Sequence, residues 1–194
     1  MSDLAKILDV RTIHEGWSKF LLAEVRLADG AVVTRQIEDH GDAVCILPYD
    51  AARRMVVLVR LLRPPALYAA GVRELVEAPA GIIDEGETAE VAARREAMEE
   101  AGLALGELER VARVWISPGI STERITLFLA PYTAADRVAA GGGLDAEHEG
   151  ITVLELPLVD AWAMLDNGDI ADMKTLALLS ALRLRHPEML ESAT

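Results

Sequence analysis

The chain has 194 residues, enough for one domain with a sizeable core plus a small appendage, and 52% of them are hydrophobic, which excludes a disordered protein. A formal net charge of −13 argues against non-specific nucleic-acid binding, which runs on Lys and Arg against phosphate, and it repels a free anionic substrate unless cations invert the field locally. No apolar run approaches the roughly 18 residues of a membrane span, so neither nucleic acid nor membrane is expected as a partner.

The opening MSDLAKILDV lacks the basic-then-apolar order of a signal peptide. From about residue 5 to residue 40 the chain reads as extended, and FLLAEVRL and AVVTRQIE are separated by ADG, a hairpin signal. So short a segment cannot bury a core of its own. Residues 1–42 are therefore expected to pack on the remainder or on a second copy of the chain. Trp17 reads as a core or interface aromatic, and Arg35 as a solvated surface charge. Residues 43–194 are expected to form the main domain. AVCILPY and MVVLVRLL read as buried strands joined by DAARR, the second stopped by Pro64 and Pro65, which cannot donate to a ladder. Cys45, the sole cysteine, reads as a buried core residue, and with no disulfide to form a reducing cytoplasm is expected. Arg60 and Arg63 are weighed as anion clamps against ordinary surface arginines.

RELVEAPAG reads as one strand leading into GIIDEGETAEVAARREAMEEAGL at 81–103. This stretch predicts a loop feeding a helix, with Thr88 as N-cap and Gly102 at its stop. Glu96 and Glu100, four residues apart, project from one face about 40° apart. Val91 and Met98 fall on the opposite face and are expected to bury against a sheet, while Ala92 and Ala93 leave room beside the acidic pair. Arg95 and Glu99 make a second i,i+4 pair on the flank. Paired carboxylates favour a hard cation: Mg²⁺, with Mn²⁺ as the alternative, takes oxygen ligands and relieves the repulsion. The plainer reading is a solvated amphipathic helix. The backbone carbonyl of Ala80 is placed to face this helix.

LERVARVWISPG and ERITLFLAPY read as strands, the first closed by a Pro-Gly turn. AAGGGLDAEHEGI follows as a glycine-rich acidic loop containing Glu147, His148 and Glu149. Such a loop either moves to bring a carboxylate to a bound substrate or is a plain surface loop. ITVLELP reads as the last strand, and LVDAWAML and MKTLALLSALRLRH as helices with apolar residues at three- and four-residue intervals. Strands and helices mix irregularly, which predicts an α+β or layered α/β/α domain with a mixed sheet. The histidines show no zinc spacing, and neither a P-loop, a dinucleotide glycine motif nor G-x-S-x-G occurs.

Gly81, Glu87, Arg95, Glu96, Glu99, Glu100 and Gly102 stand at the spacing G-x5-E-x7-R-E-(apolar)-x-E-E-x-G-(apolar), with Ala97 and Leu103 in the apolar slots. Seven such identities arise by chance in on the order of one window in 10⁷ to 10⁹, so the plain-helix reading loses most of its weight. The pattern resembles the signature of the Nudix hydrolases. EAPAG before it, SPG at 117–119 and GGG ahead of the acidic loop extend the likeness to the branch acting on nucleoside diphosphate sugars. The resemblance implies an α/β/α Nudix sandwich and an N-terminal antiparallel β segment exchanged across a homodimer. It also implies Mg²⁺-dependent hydrolysis of a diphosphate bond, giving a nucleoside monophosphate and a sugar phosphate.

The resemblance implies residue roles as well. Glu96 and Glu100 would ligate the metal with the Ala80 carbonyl, and Arg95 would orient a glutamate of the motif. Glu149 matches an additional metal ligand and Glu147 a general base, with the two roles open to exchange. Arg63 matches a phosphate-binding arginine. Trp17 falls near a base-stacking aromatic, and Arg35 lies in the exchanged segment on the substrate side. Asp172, Lys174 and Thr175 supply a D-x-K-T pattern like the GDP-mannose type, whereas the acidic loop's length looks like the ADP-ribose type, so GDP-mannose is only slightly favoured over ADP-ribose. Two alternatives differ in class: a Nudix hydrolase of another nucleotide, and a non-catalytic nucleotide-sugar sensor, which would bind without turnover.

Overall fold

The structure, a computed structural model, describes residues 4–144 and 150–189. The chain divides into two compact units, Met1–Asp42 with Val114–Ile125, and Ala43–Arg113 with Thr126–Thr194. Among the described residues no helix is long and apolar enough to cross a membrane.

The first unit is built on β1 (Lys6–Glu15), β2 (Lys19–Arg26) and β3 (Val32–Asp39), in the order β1-β2-β3, with both pairings antiparallel. The expected hairpin joins β2 to β3. Gly30 takes φ +86° there, a conformation open to glycine without steric cost, and Asp29 Oδ1 accepts the Ala31 N–H at 3.0 Å. Every residue of β1 is exposed, including Ile7, Val10 and Ile13. Ser121 comes in beside β3: the Glu38 N–H donates to the Ile120 carbonyl at 2.8 Å, and the Ser121 hydroxyl donates to the Glu38 carboxylate at 2.9 Å.

The second unit centres on a seven-stranded mixed sheet containing β4 (Ala43–Asp50), β5 (Met55–Leu61), β6 (Leu75–Glu77), β7 (Ala80–Ile82), β8 (Glu109–Trp115), β9 (Arg124–Pro131) and β10 (Thr152–Pro157). The main order is β10-β5-β4-β9-β8, with β6 on β5 and β7 on β4. RELVEAPAG is thus two short strands on different neighbours. Pro79, which has no N–H for a ladder, separates them. A short helix not expected from the sequence, α1 (Pro64–Ala70), follows β5: its two prolines stop the strand, yet they suit the first turn of a helix, where an N–H has no intrahelical partner.

Three longer helices cover the sheet: α2 (Ala89–Ala101), α3 (Leu158–Asn167) and α4 (Met173–Arg185). All eight residues of β4 are buried, as expected of a strand covered on both faces, and both α2 and α4 pack against it. Val44 and Ile46 join Ala92, Ala93, Ala97, Leu103 and Phe128 in one apolar cluster. Cys45, at the alternate position, donates from Sγ to the Ala78 carbonyl at 3.5 Å.

Both expected caps of α2 are present. The Thr88 hydroxyl accepts the Val91 N–H at 3.3 Å, and Gly102 at φ +69° donates to the Met98 carbonyl at 3.0 Å while the Leu103 N–H reaches Ala97. The expected orientation of the helix is wrong, however. Val91 is 52% exposed, and the face against the sheet carries Ala92, Ala93, Glu96, Ala97, Glu100 and Ala101. Small side chains let the helix come close to the sheet, and the two carboxylates are buried because polar partners await them there.

Candidate functional site

The acidic pair lies where α2 passes over β7. Glu96 and Glu100 are 8% and 3% exposed. Glu100 Oε2 accepts the Ala80 N–H at 3.0 Å. Ala80 therefore meets the acidic helix through its amide, whereas the expectation was of its carbonyl. Glu96 lies directly over Gly81: a Cβ built there would fall 1.8 Å from Glu96 Oε1. The glycine is required for this approach and not for turn geometry, since its φ lies outside the left-handed region.

Arg95 organises the acids around it. Its Nε donates to Glu87 Oε1 at 3.0 Å, and Nη2 donates to Glu87 Oε2 at 3.0 Å and to the Ile82 carbonyl at 2.9 Å. Nη1 donates to Glu96 at 2.7 Å and Glu99 at 3.1 Å. All five N–H groups of the guanidinium are therefore engaged. Glu87 foremost, then Glu96 and Glu99, hold the arginine well above its usual pKa against the opposing effect of burial. Arg95 in return holds Glu87 below the ordinary carboxylate range.

The segment entering β7 is fixed from several sides. The Ala78 N–H donates to Thr175 Oγ1 at 2.7 Å, the Pro79 carbonyl accepts the Ile46 N–H at 2.9 Å, and the Ala80 N–H is on Glu100. Thr175 belongs to the first turn of α4, capped by Asp172, whose Oδ2 accepts the Thr175 N–H at 2.9 Å and the Thr175 hydroxyl at 2.7 Å. Lys174 Nζ bridges Asp172 Oδ1 at 2.6 Å and Glu77 Oε2 at 3.1 Å. Burial works against the Lys174 charge, but Asp172 and Glu77 more than offset it and raise its pKa. The D-x-K-T residues thus hold Glu77 and Ala78, three and two residues before the Ala80 amide that meets Glu100.

Arg63 does not stand free. It stands at the N-cap of α1, two residues past the end of β5, and its Nε and Nη2 each donate to Glu77 at 2.9 Å. Arg60, half-exposed, pairs with Glu74 at 3.4 Å. Glu77 is 2% exposed and was not singled out in the sequence. The signal was present, since a carboxylate inside the apolar run LVEAPAG needs a buried cationic partner.

Trp17 and Arg35 belong to the first unit. Trp17 is 78% exposed, with its ring 4.9 Å from that of His40. Arg35 is exposed, donates to the Thr34 carbonyl at 3.0 Å, and lines an open groove of about 440 Å³ with Leu22, Thr34, Gln36, Gly119 and Ile120. Glu147 and Glu149 lie outside the described residues.

Among the described residues no three His, Cys, Asp or Glu side chains group closely enough to hold a metal by themselves. The donor chemistry nonetheless fits a hard divalent ion: two oxygen-donor carboxylates meet adjacent residues of β7, Glu100 at the Ala80 amide and Glu96 over Gly81, whose missing side chain leaves it room.

The NUDIX domain model matches residues 39–178, which include this whole arrangement. The chain belongs to the Nudix family. Nudix relatives include the GDP-mannose pyrophosphatases of Escherichia coli O1:K1 / APEC and of Shigella flexneri, each 41% identical over 162 residues, 81% of this chain and 83% of theirs. A crystal structure of an ADP compounds hydrolase matches with a TM-score of 0.77 over 97% of each chain, at 18% identity, a likeness of Nudix fold alone. The chain is accordingly a Nudix hydrolase, of a family that generally works with divalent metal ions.

Proposed function

We propose that the chain hydrolyses the diphosphate bond of a nucleoside diphosphate sugar with Mg²⁺, and that GDP-mannose is preferred over ADP-ribose. The observation that carries this reading is the buried pair Glu96, seated over Gly81 and tied to Arg95, and Glu100, tied to the Ala80 amide. Glu96, Glu100, the Ala80 carbonyl and Glu149 would hold the ion. Once bound, it supplies charge neutralisation at the diphosphate and a more acidic water.

The chain's own groups do the rest. Glu147 takes the proton of the attacking water, or Glu149 does if the two loop roles are exchanged. Arg95 fixes the glutamates, so no reorganisation is needed when charge develops. Arg63 binds a phosphate oxygen. Trp17 stacks on the base and Arg35 lies beside it, with residues 1–42 exchanged between the subunits of a homodimer. The preference for GDP-mannose is supported by 41% identity to enzymes named for it and by the packing of Asp172, Lys174 and Thr175 against the site. With one buried cysteine the protein suits a reducing cytoplasm.

The test is a panel of GDP-mannose, ADP-ribose and a dinucleoside polyphosphate, with Mg²⁺ or with EDTA, in ¹⁸O-water. The expected products are GMP and mannose 1-phosphate, one of them carrying ¹⁸O, and EDTA should abolish the reaction. Binding of nucleotide sugar without turnover would instead make the protein a sensor.

A further inference from the structure

Glu77 carries no role in the reaction proposed above, yet from the end of β6 it links two cations, Arg63 and Lys174. Its Oε1 accepts Arg63 Nε and its Oε2 accepts both Arg63 Nη2 and Lys174 Nζ. A carboxylate 2% exposed would be costly alone, and here the bidentate arginine and the lysine compensate it. The arginine is engaged along one edge only. Among the described residues Nη1 has no hydrogen-bond partner, and the side chain is 40% exposed. Lys174 is meanwhile fixed from its other side by Asp172 at 2.6 Å.

We propose that Glu77 is a positioning residue: it holds the guanidinium of Arg63 by its Nε–Nη2 edge, so that Nη1 is the donor presented to a phosphate oxygen of the substrate. Lys174 neutralises the surplus charge that would otherwise draw the arginine deeper, and through Asp172 it ties this setting to the start of α4. The inference rests on the reading of Arg63 as the phosphate-binding arginine. A flexible arginine would lose side-chain freedom on binding, and one already held by a fork loses less.

A double-mutant cycle on the full-length protein tests it, with kcat and KM measured on GDP-mannose. Glu77→Gln is expected to lower kcat/KM about tenfold or more, the order of a lost charged hydrogen bond. In an Arg63→Ala background the same change is expected to alter kcat/KM by less than about twofold, because the group it positions is gone. An equal effect in both backgrounds overturns the proposal. The Mg²⁺ concentration for half-maximal rate is expected to stay within about twofold of wild type. A tenfold rise there would assign Glu77 to the metal loop and also overturn it. Should Glu77→Gln fail to fold, Arg63→Lys decides: a lysine cannot be gripped along a planar edge, so kcat/KM near that of Arg63→Ala supports the proposal and wild-type values overturn it. If Arg63→Ala leaves KM and kcat untouched, the phosphate role of Arg63 is itself wrong. If only the cycle fails, that role stands and Glu77 is structural.

Discussion

Glu100 is 3% exposed and receives a backbone N–H, so an amide in its place fits the space while removing the charge. Glu100→Gln is expected to keep the fold, checked by circular dichroism, and to lower kcat by at least about 10²-fold, the range seen when a key electrostatic group is lost. Near wild-type turnover would refute the metal assignment. Gly81→Ala tests the same site through space. The added Cβ would lie 1.8 Å from Glu96 Oε1, and the yielding group is a side-chain end, so the carboxylate shifts while the backbone stays. The expected result is an Mg²⁺ requirement raised about tenfold or more with an unchanged melting temperature. At this scale much was legible, because the spacing of Gly81, Glu87, Arg95, Glu96 and Glu100 is local and dense. For Glu77 the apolar run around it marks a carboxylate in need of a cation, but which cations serve was not legible, because they stand 14 and 97 residues away.

Among the elements, α4 depends on the charges at its first turn. Burial raises the Asp172 pKa, but Lys174 and then Thr175 prevail and hold it below the ordinary value. A depressed acid contributes stability that is fully present above its unfolded pKa of about 4 and is lost as pH falls through the folded value. Lys174, raised, contributes below its unfolded pKa of about 10.4 and loses that contribution as pH rises through the folded value. Asp172→Asn is therefore expected to melt lower at neutral pH and to lose less further stability on acidification, checked by melting temperatures from about pH 7 to pH 2. A parallel acid limb in the two proteins would count against the assignment. The caps of α2 were readable from Thr88 and Gly102. Its orientation was not: hydropathy turns Val91 inward, whereas the buried face is alanine and paired glutamate. α1 was hidden because proline ends a strand and opens a helix with equal ease.

For the molecule as a whole, charge sets the kinetics. A chain of net charge −13 repels a free nucleotide sugar at long range, and salt screens that repulsion within about 10 Å at 0.1 M. At fixed Mg²⁺, KM for GDP-mannose is expected to fall as NaCl rises from low levels to about 0.1 M, as measured by initial rates. A steady rise in KM would show that a local positive field dominates encounter instead. The mixed sheet with covering helices was foreseeable from the alternation of apolar strands and amphipathic helices. The membership of residues 114–125 in the first unit was not, since it turns on contacts such as Ser121 with Glu38, 83 residues apart.

Ala92, Ala93, Ala97 and Ala101 are fully buried beneath α2. Each is a single methyl thick, so together they act as shims that fix the clearance between helix and sheet. A bulkier shim would lift Glu96 and Glu100 in concert, and the reach of the two acids is thus gauged by four side chains that carry no charge.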